Sequence, residues 1–191
     1  MRIFGALLAL TLGACSSLPP APGASLPARS SVQDFTLEGR FALQIKRAEA
    51  PSEKAAGRVY WQHDRAGGAD RLRLSTPLGS GLAEVHFDKN RAVLTTADRQ
   101  QRSSEDPARL LQDATGYPLP LTQLPHWLLG RPQAGETLEL DEQARPSRLI
   151  SPPWRVAYRY PDTSPDALPQ RLDITHPEIE LRLFIEQWQS P

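Results

Sequence analysis

The chain has 191 residues, with 22 Lys and Arg against 22 Asp and Glu, one Cys, four His and 19 Pro. A balanced charge argues against nucleic acid as a partner, because phosphate recognition needs a surplus of Lys and Arg on one face. One cysteine excludes an intrachain disulfide framework and any multi-cysteine metal site, and the length fits a single domain.

Met1-Arg2 is a short positive start, and Ile3 to Leu12 is an apolar run interrupted only by Gly5 and Thr11. The run is too short to cross a bilayer core, which takes about 20 helical residues, and fits the apolar region of a secretory signal. It ends in Leu12-Gly13-Ala14-Cys15, which resembles a bacterial lipobox, with residues 1–14 as signal peptide and Cys15 as the acylated first residue. An ordinary signal with an incidental cysteine is the other reading. Two or more acyl chains anchor stably where one does not. Ser16 and Ser17 follow where an Asp usually retains such lipoproteins in the inner membrane, so the resemblance implies the outer membrane. Residues 15–31, with Pro19, Pro20, Pro22 and Pro27, carry no apolar period and read as a lipid-anchored flexible linker. The folded domain is expected over 32–191.

Phe35, Leu37, Gly39, Phe41, Leu43 and Ile45 alternate with polar or small residues, the mark of a long half-buried strand. The same period returns at Val59 and Trp61, Leu72 and Leu74, Ala83 to Phe87, Leu138 and Leu140, Trp154 to Tyr160, Leu172 and Ile174, and Ile179 to Ile185. Gly67-Gly68, Lys89-Asn90, Pro152-Pro153 and His176-Pro177-Glu178 supply turns between the runs. Such strands predict an antiparallel sheet, solvated on one side and curled to bury the other. Trp154 and Trp188 read as core.

One stretch breaks the pattern. Ser104 or Asp106 caps a helix that starts at Pro107, buries Leu110 and Leu111, and stops at Gly116. Leu119, Leu121, Leu124, Trp127, Leu128 and Leu129 then crowd into a second short helix ending at Gly130. Both are expected to form a lid over the concave face.

No catalytic constellation is legible. His63, His86, His126 and His176 are scattered, no serine sits in a nucleophile elbow, and no phosphate loop is present. Asp141-Glu142 and Glu178 with Glu180 read as solvated pairs. Neither an enzyme, a metal nor a cofactor is expected. What stands out is Ser75-Thr76-Pro77-Leu78-Gly79-Ser80-Gly81, where Pro77 and Gly79 bend the backbone and leave Leu78 near the tip. Leu78 either folds back onto the core or stays exposed to enter a bilayer, which is worth about 2 kcal/mol.

Phe35 to Ile45 with Gly39-Arg40-Phe41-Ala42, Tyr60-Trp61-Gln62, Pro77-Leu78-Gly79-Ser80 and Gly116-Tyr117-Pro118-Leu119-Pro120-Leu121 resemble, in order and spacing, the LolB family of outer-membrane lipoprotein receptors. Trp127-Leu128-Leu129-Gly130, Trp154-Arg155-Val156-Ala157-Tyr158 and Leu168-Pro169 extend the resemblance over roughly residues 32 to 188. The chain departs from it in loops, at Ala48 to Ala55, at Arg65 to Ala69 and at Pro152-Pro153. The resemblance implies a mainly β fold of LolA/LolB type. That fold is an unclosed antiparallel barrel of about eleven strands with a short helical lid and a hydrophobic cavity.

It further implies a monomer that takes acylated client lipoproteins from a LolA-like periplasmic carrier and inserts them into the inner leaflet of the outer membrane. Leu78, flanked by Pro77 and Gly79, matches the family's membrane-inserting loop. Inward-facing candidates for the acyl-chain cavity are Phe41, Leu43, Trp61, Leu74, Val85, Leu110, Leu124, Trp127 and Leu128. Each reads equally well as packed core, since periodicity does not separate a filled interior from a hollow one. Two rivals keep the anchor without acyl transfer: a structural or assembly lipoprotein with a filled β-domain, and an anchored cell-wall hydrolase.

Overall fold

A computed structural model of the protein describes residues 28–47, 49, 51–88, 90–115 and 119–189. Eleven strands and two helices follow in the order β1 (Phe35–Ile45), β2 (Glu53–Asp64), β3 (Ala69–Ser75), β4 (Gly81–Phe87), β5 (Ala92–Thr96), β6 (Gln101–Ser104), α1 (Pro107–Thr115), α2 (Leu124–Leu128), β7 (Thr137–Leu140), β8 (Pro146–Ser151), β9 (Trp154–Arg159), β10 (Arg171–His176) and β11 (Ile179–Gln189). All eleven strands lie in one sheet ordered β6-β5-β4-β3-β2-β1-β11-β10-β9-β8-β7, every neighbour antiparallel. Two meanders are thus joined where β1 pairs with β11, and the sheet stays open between β6 and β7. Both helices fall in the chain between those two edges.

The alternation does what period two dictates. In register, Leu94, Val85, Leu72, Trp61, Leu37 and Trp188 form one buried row from β5 to β11. Phe41 and Leu183 head another that runs on through Leu172 to Tyr158. The outward row between the two stays polar: Glu38, Tyr60, Arg73, Glu84 and Thr95. Gly39 is required for the β1–β11 junction, because a Cβ there would lie 2.2 Å from the carbonyl oxygen of Phe184.

Asp106 is the cap of α1. Its carboxylate accepts the N–H groups of Ala108 and Arg109 at 2.9 and 3.2 Å, and Pro107 occupies the first helical position. The helix buries Leu110 and Leu111. Its expected stop at Gly116 lies outside the described residues. Helix α2 buries Leu124, Trp127 and Leu128 and ends as expected at Gly130, whose φ of +63° permits the N–H of Arg131 to reach the carbonyl of His126 at 2.9 Å.

The sequence pattern passes over three strands. β5 is short, β6 is wholly polar, and β8 opens on a proline, so none shows a clear alternation. One expected face is also corrected. Leu138 is half-buried, but a register shift between Glu139 and Leu140 turns Leu140 outward, where it is 55% exposed. The domain's hydrogen bonding begins ahead of residue 32. Arg29 N–H donates to the Asp166 carbonyl at 3.2 Å, and the Arg131 guanidinium donates to the carbonyls of Arg29, Ser30 and Val32.

Candidate functional site

The β3–β4 connection is a tight, internally bonded loop. Gly79 N–H donates to the Thr76 carbonyl at 2.9 Å, Thr76 N–H to the Ser80 carbonyl at 2.8 Å, and Ser80 N–H to the Thr76 hydroxyl at 3.1 Å. Pro77 supplies its fixed φ at the second turn position, and Gly79 takes φ +90°. Leu78 sits between them at the tip, 97% exposed. The core-folding alternative for Leu78 is therefore not the arrangement adopted. A rigid turn holds one apolar side chain in solvent, where no packing explains it.

The foot of the loop lies beside the concave face. A Cβ on Gly57 of β2 would meet the Ser75 carbonyl oxygen at 2.0 Å and Cε1 of Phe41 at 3.1 Å, so loop foot, β2 and Phe41 converge there. Around this point the inward row thins out. Leu43, Leu74, Ala83 and Leu181 are half-buried and pack against the core, while Ala55, opposite Leu43, is exposed. An apolar mouth thus opens at the end of the sheet that carries the Leu78 loop.

The other sequence candidates lie deeper. Trp61, Val85, Leu110, Leu124, Trp127 and Leu128 are buried within one cluster, together with Phe41. Trp61 meets Phe35 and Phe87 edge-on, and Trp127 packs against Trp154 with ring centroids 6.0 Å apart. In this arrangement those side chains are packed core. Of two open clefts, the one of about 570 Å³ touches Leu74 and Ala83 and the one of about 690 Å³ touches Leu43 and Leu181, with most of their lining from outward-facing residues. Their charged walls are the outward rows: Glu38, Arg58, Arg73 and Glu84 in one, Lys54, Arg171, Asp173, Glu180 and Arg182 in the other.

The lid is pinned by polar contacts that no motif announced. The Tyr158 hydroxyl donates to the Trp127 carbonyl at 2.8 Å, and Trp127 Nε1–H donates to Glu136 at 2.9 Å. Desolvation resists ionisation of Glu136, but N–H donors from Gln133 and Trp127 outweigh it and hold its pKa below the ordinary value. Desolvation lowers His126, helped by the charges of His63, Arg65 and Arg131. Burial pushes the Tyr158 phenol far up, and Tyr160 up to about 12.

Two buried polar groups are structural. Asp70 accepts from Trp61 Nε1–H at 2.6 Å and meets His63 Nδ1 at 2.9 Å. Arg145 donates to Asp141 and to the carbonyls of Asp162 and Ser164 while lying over the Tyr160 ring, so the Asp141 pair read as solvated is half engaged. Among the described residues no group of three or more His, Cys, Asp or Glu could hold a metal. Cys15 lies outside the described residues. Leu181 and Ala83 of the mouth were within reach of the alternation. Gly57 and Ser75 carry no such signal, since their place follows from strand register.

Residues 33–188 match the family model described as outer membrane lipoprotein LolB. The outer-membrane lipoprotein LolB of Dechloromonas aromatica is 42% identical over 193 residues, covering 100% of this chain and 99% of that one. That of Thiobacillus denitrificans is 33% identical, covering 97% and 95%. Among solved structures, a LolA superfamily protein from Nitrosomonas europaea is similar at a TM-score of 0.46 and 9% identity, covering 82% of this chain and 86% of that one.

Proposed function

This chain belongs to the family of outer-membrane lipoprotein LolB, and on that premise we propose that it takes acylated lipoproteins from a LolA-like periplasmic carrier and inserts them into the inner leaflet of the outer membrane. The observation that carries the reading is the family match over 33–188, which takes in both helices and all of the sheet but its last residue. The working role is binding and delivery, with no bond made or broken. The protein works as a monomer, anchored by acylated Cys15 and tethered through the proline-rich linker that follows it.

Acyl chains enter at the apolar mouth marked by Leu43, Leu74, Ala83 and Leu181, with buried Phe41 behind it, and lie against the concave face under α1 and α2. What supports this is the half-burial of that rim beside a fully buried interior. Each methylene that leaves water contributes about 0.8 kcal/mol, so a chain finding even part of that face gains enough to leave the carrier. Deeper entry, past Trp61, Val85, Leu110, Leu124, Trp127 and Leu128, requires the lid to shift, because those side chains already touch one another. Transfer then follows differential affinity between carrier, receptor and bilayer. Leu78 stands beside the mouth, so the loop that meets the membrane is also where a departing chain emerges.

The test is a two-step transfer. A carrier loaded with a radiolabelled acylated lipoprotein is mixed with the protein in detergent micelles, the two are separated, and liposomes are added. Label moving to the protein and then into liposomes supports the reading. Label staying on a competent carrier reduces the chain to an anchored β-domain without acyl transfer.

A further inference from the structure

The 570 Å³ cleft at the foot of the Leu78 loop is walled largely by outward-facing residues of the sheet and also touches Leu74 and Ala83 of the mouth. Its walls include Gly79, Gly81 and Leu82 from the loop and its exit, and the in-register row Glu38, Tyr60, Arg73 and Glu84 from four adjacent strands. Its size falls within the range of small-molecule sites. The charges in it are unevenly satisfied. Glu84 is engaged by His86 at 2.9 Å and Arg71 at 3.5 Å, and Arg58 shares Glu186 with Arg40. Arg73 enters no ion pair among the described residues and lies over the Tyr60 ring, its carbon 4.7 Å from the centroid. Glu38, across Tyr60 from Arg73, has no ion-pair partner among the described residues either.

We propose that this cleft binds the headgroup of a zwitterionic phospholipid, its phosphate on Arg73 and Arg58 and its amine on Glu38. The inference rests on the membrane-contact reading of Leu78 and deepens it. A guanidinium offers a planar fork of N–H donors to phosphate oxygens, and a carboxylate accepts the N–H groups of a primary amine. Arg73 and Glu38 stand two strands apart, about 10 Å along the sheet, and both side chains are long enough to lean over the intervening Tyr60. Leu82, 39% exposed on the same wall, and Leu78 beyond it offer exposed apolar side chains on the loop side. Charge on one side and leucines on the other match the order of groups along a phospholipid. The site is open, so it is weak for a free headgroup. Leu78 in the bilayer raises the local headgroup concentration and makes the two contacts act together.

The experiment uses the full-length acylated protein in nonionic detergent micelles. The amide signals of Gly79 and Gly81 and the Nε–H signal of Arg73 are followed by NMR. The titrants are glycerophosphoethanolamine, glycerophosphocholine and inorganic phosphate. Glycerophosphoethanolamine is expected to shift all three signals at millimolar concentration and to bind several-fold more tightly than the other two. Arg73→Gln should weaken it about fivefold, the loss of one charge-assisted contact. Glu38→Gln should erase its advantage over the choline analogue, which has no N–H to donate. Equal affinity for all three titrants, or an undiminished response in Arg73→Gln, overturns the assignment, and tightest binding of inorganic phosphate makes the cleft a phosphate site instead. Leu78→Glu keeps the cleft and should leave this titration unchanged. Normal client delivery by that variant would therefore sink the loop reading separately, while the titration still decides the cleft.

Discussion

The hydroxyl of Tyr158 on β9 donates to the main-chain carbonyl of Trp127 in α2 at 2.8 Å, a buried bond that fastens the lid to the sheet. Tyr158→Phe removes the donor and leaves the carbonyl without that partner in an apolar surround. The expected cost is about 1–2 kcal/mol, read from urea unfolding. A lid that must shift for acyl chains to go deep should also shift more readily, so carrier-to-receptor transfer is expected to speed up in the same variant. Lower stability with unchanged transfer would show that the lid stays closed during uptake.

Leu78→Glu tests the loop. At 97% exposure the side chain has no packing to lose, so stability should stay within about 0.5 kcal/mol of the parent. Uptake from the carrier should be unchanged and delivery to liposomes should stall, since a carboxylate at the tip opposes entry into the bilayer. Delivery at the parental rate would refute the membrane role of the loop.

Two glycines should both lose stability as alanine, but by different amounts and for different reasons. At Gly39 the new Cβ would fall 2.2 Å from a backbone oxygen of Phe184 that cannot rotate away, so β1 and β11 must part. A loss of about 3 kcal/mol is expected, at the upper end of overpacking costs. At Gly79 nothing lies within 4 Å, and only the positive φ is strained, for about 1 kcal/mol. Thermal unfolding of the two variants separates a clash from a backbone preference.

His126 gives the lid a pH dependence. Its folded pKa lies below the ordinary 6.5, chiefly through desolvation, so the native state binds fewer protons than the unfolded chain. Stability from this group is complete above the unfolded pKa and is lost as the pH falls from about 7 towards the folded pKa. His126→Gln should flatten that part of the profile of unfolding midpoint against pH. The depressed carboxylates Glu136 and Asp173 act lower, below their ordinary values, where the variant should still follow the parent.

Much of this molecule is legible in one dimension, and the residues say why. A strand has two faces and a period of two, so Phe35 to Ile45 or Trp154 to Tyr158 declare their inner side without help from elsewhere. Pro77 and Gly79 carry their backbone preferences with them, which is why the bend at Leu78 could be read. Asp106, Pro107 and Gly130 mark helix ends for the same local reason.

What stayed hidden depends on partners distant in sequence. Whether Trp61 and Trp127 line a hollow or fill it turns on how the sheet curls and how close the helices come. Alternation is the same in both cases. Leu78 was assigned to solvent only once β2, β3 and β4 were in register and nothing stood over the loop. Arg145 and Asp70 look like surface charges until the Asp162 carbonyl and the Trp61 indole arrive beside them. Leu140 changed face through a register shift against β8. Local chemistry chooses the faces, and the long-range meeting of faces chooses what is core, what is rim and what is left in water.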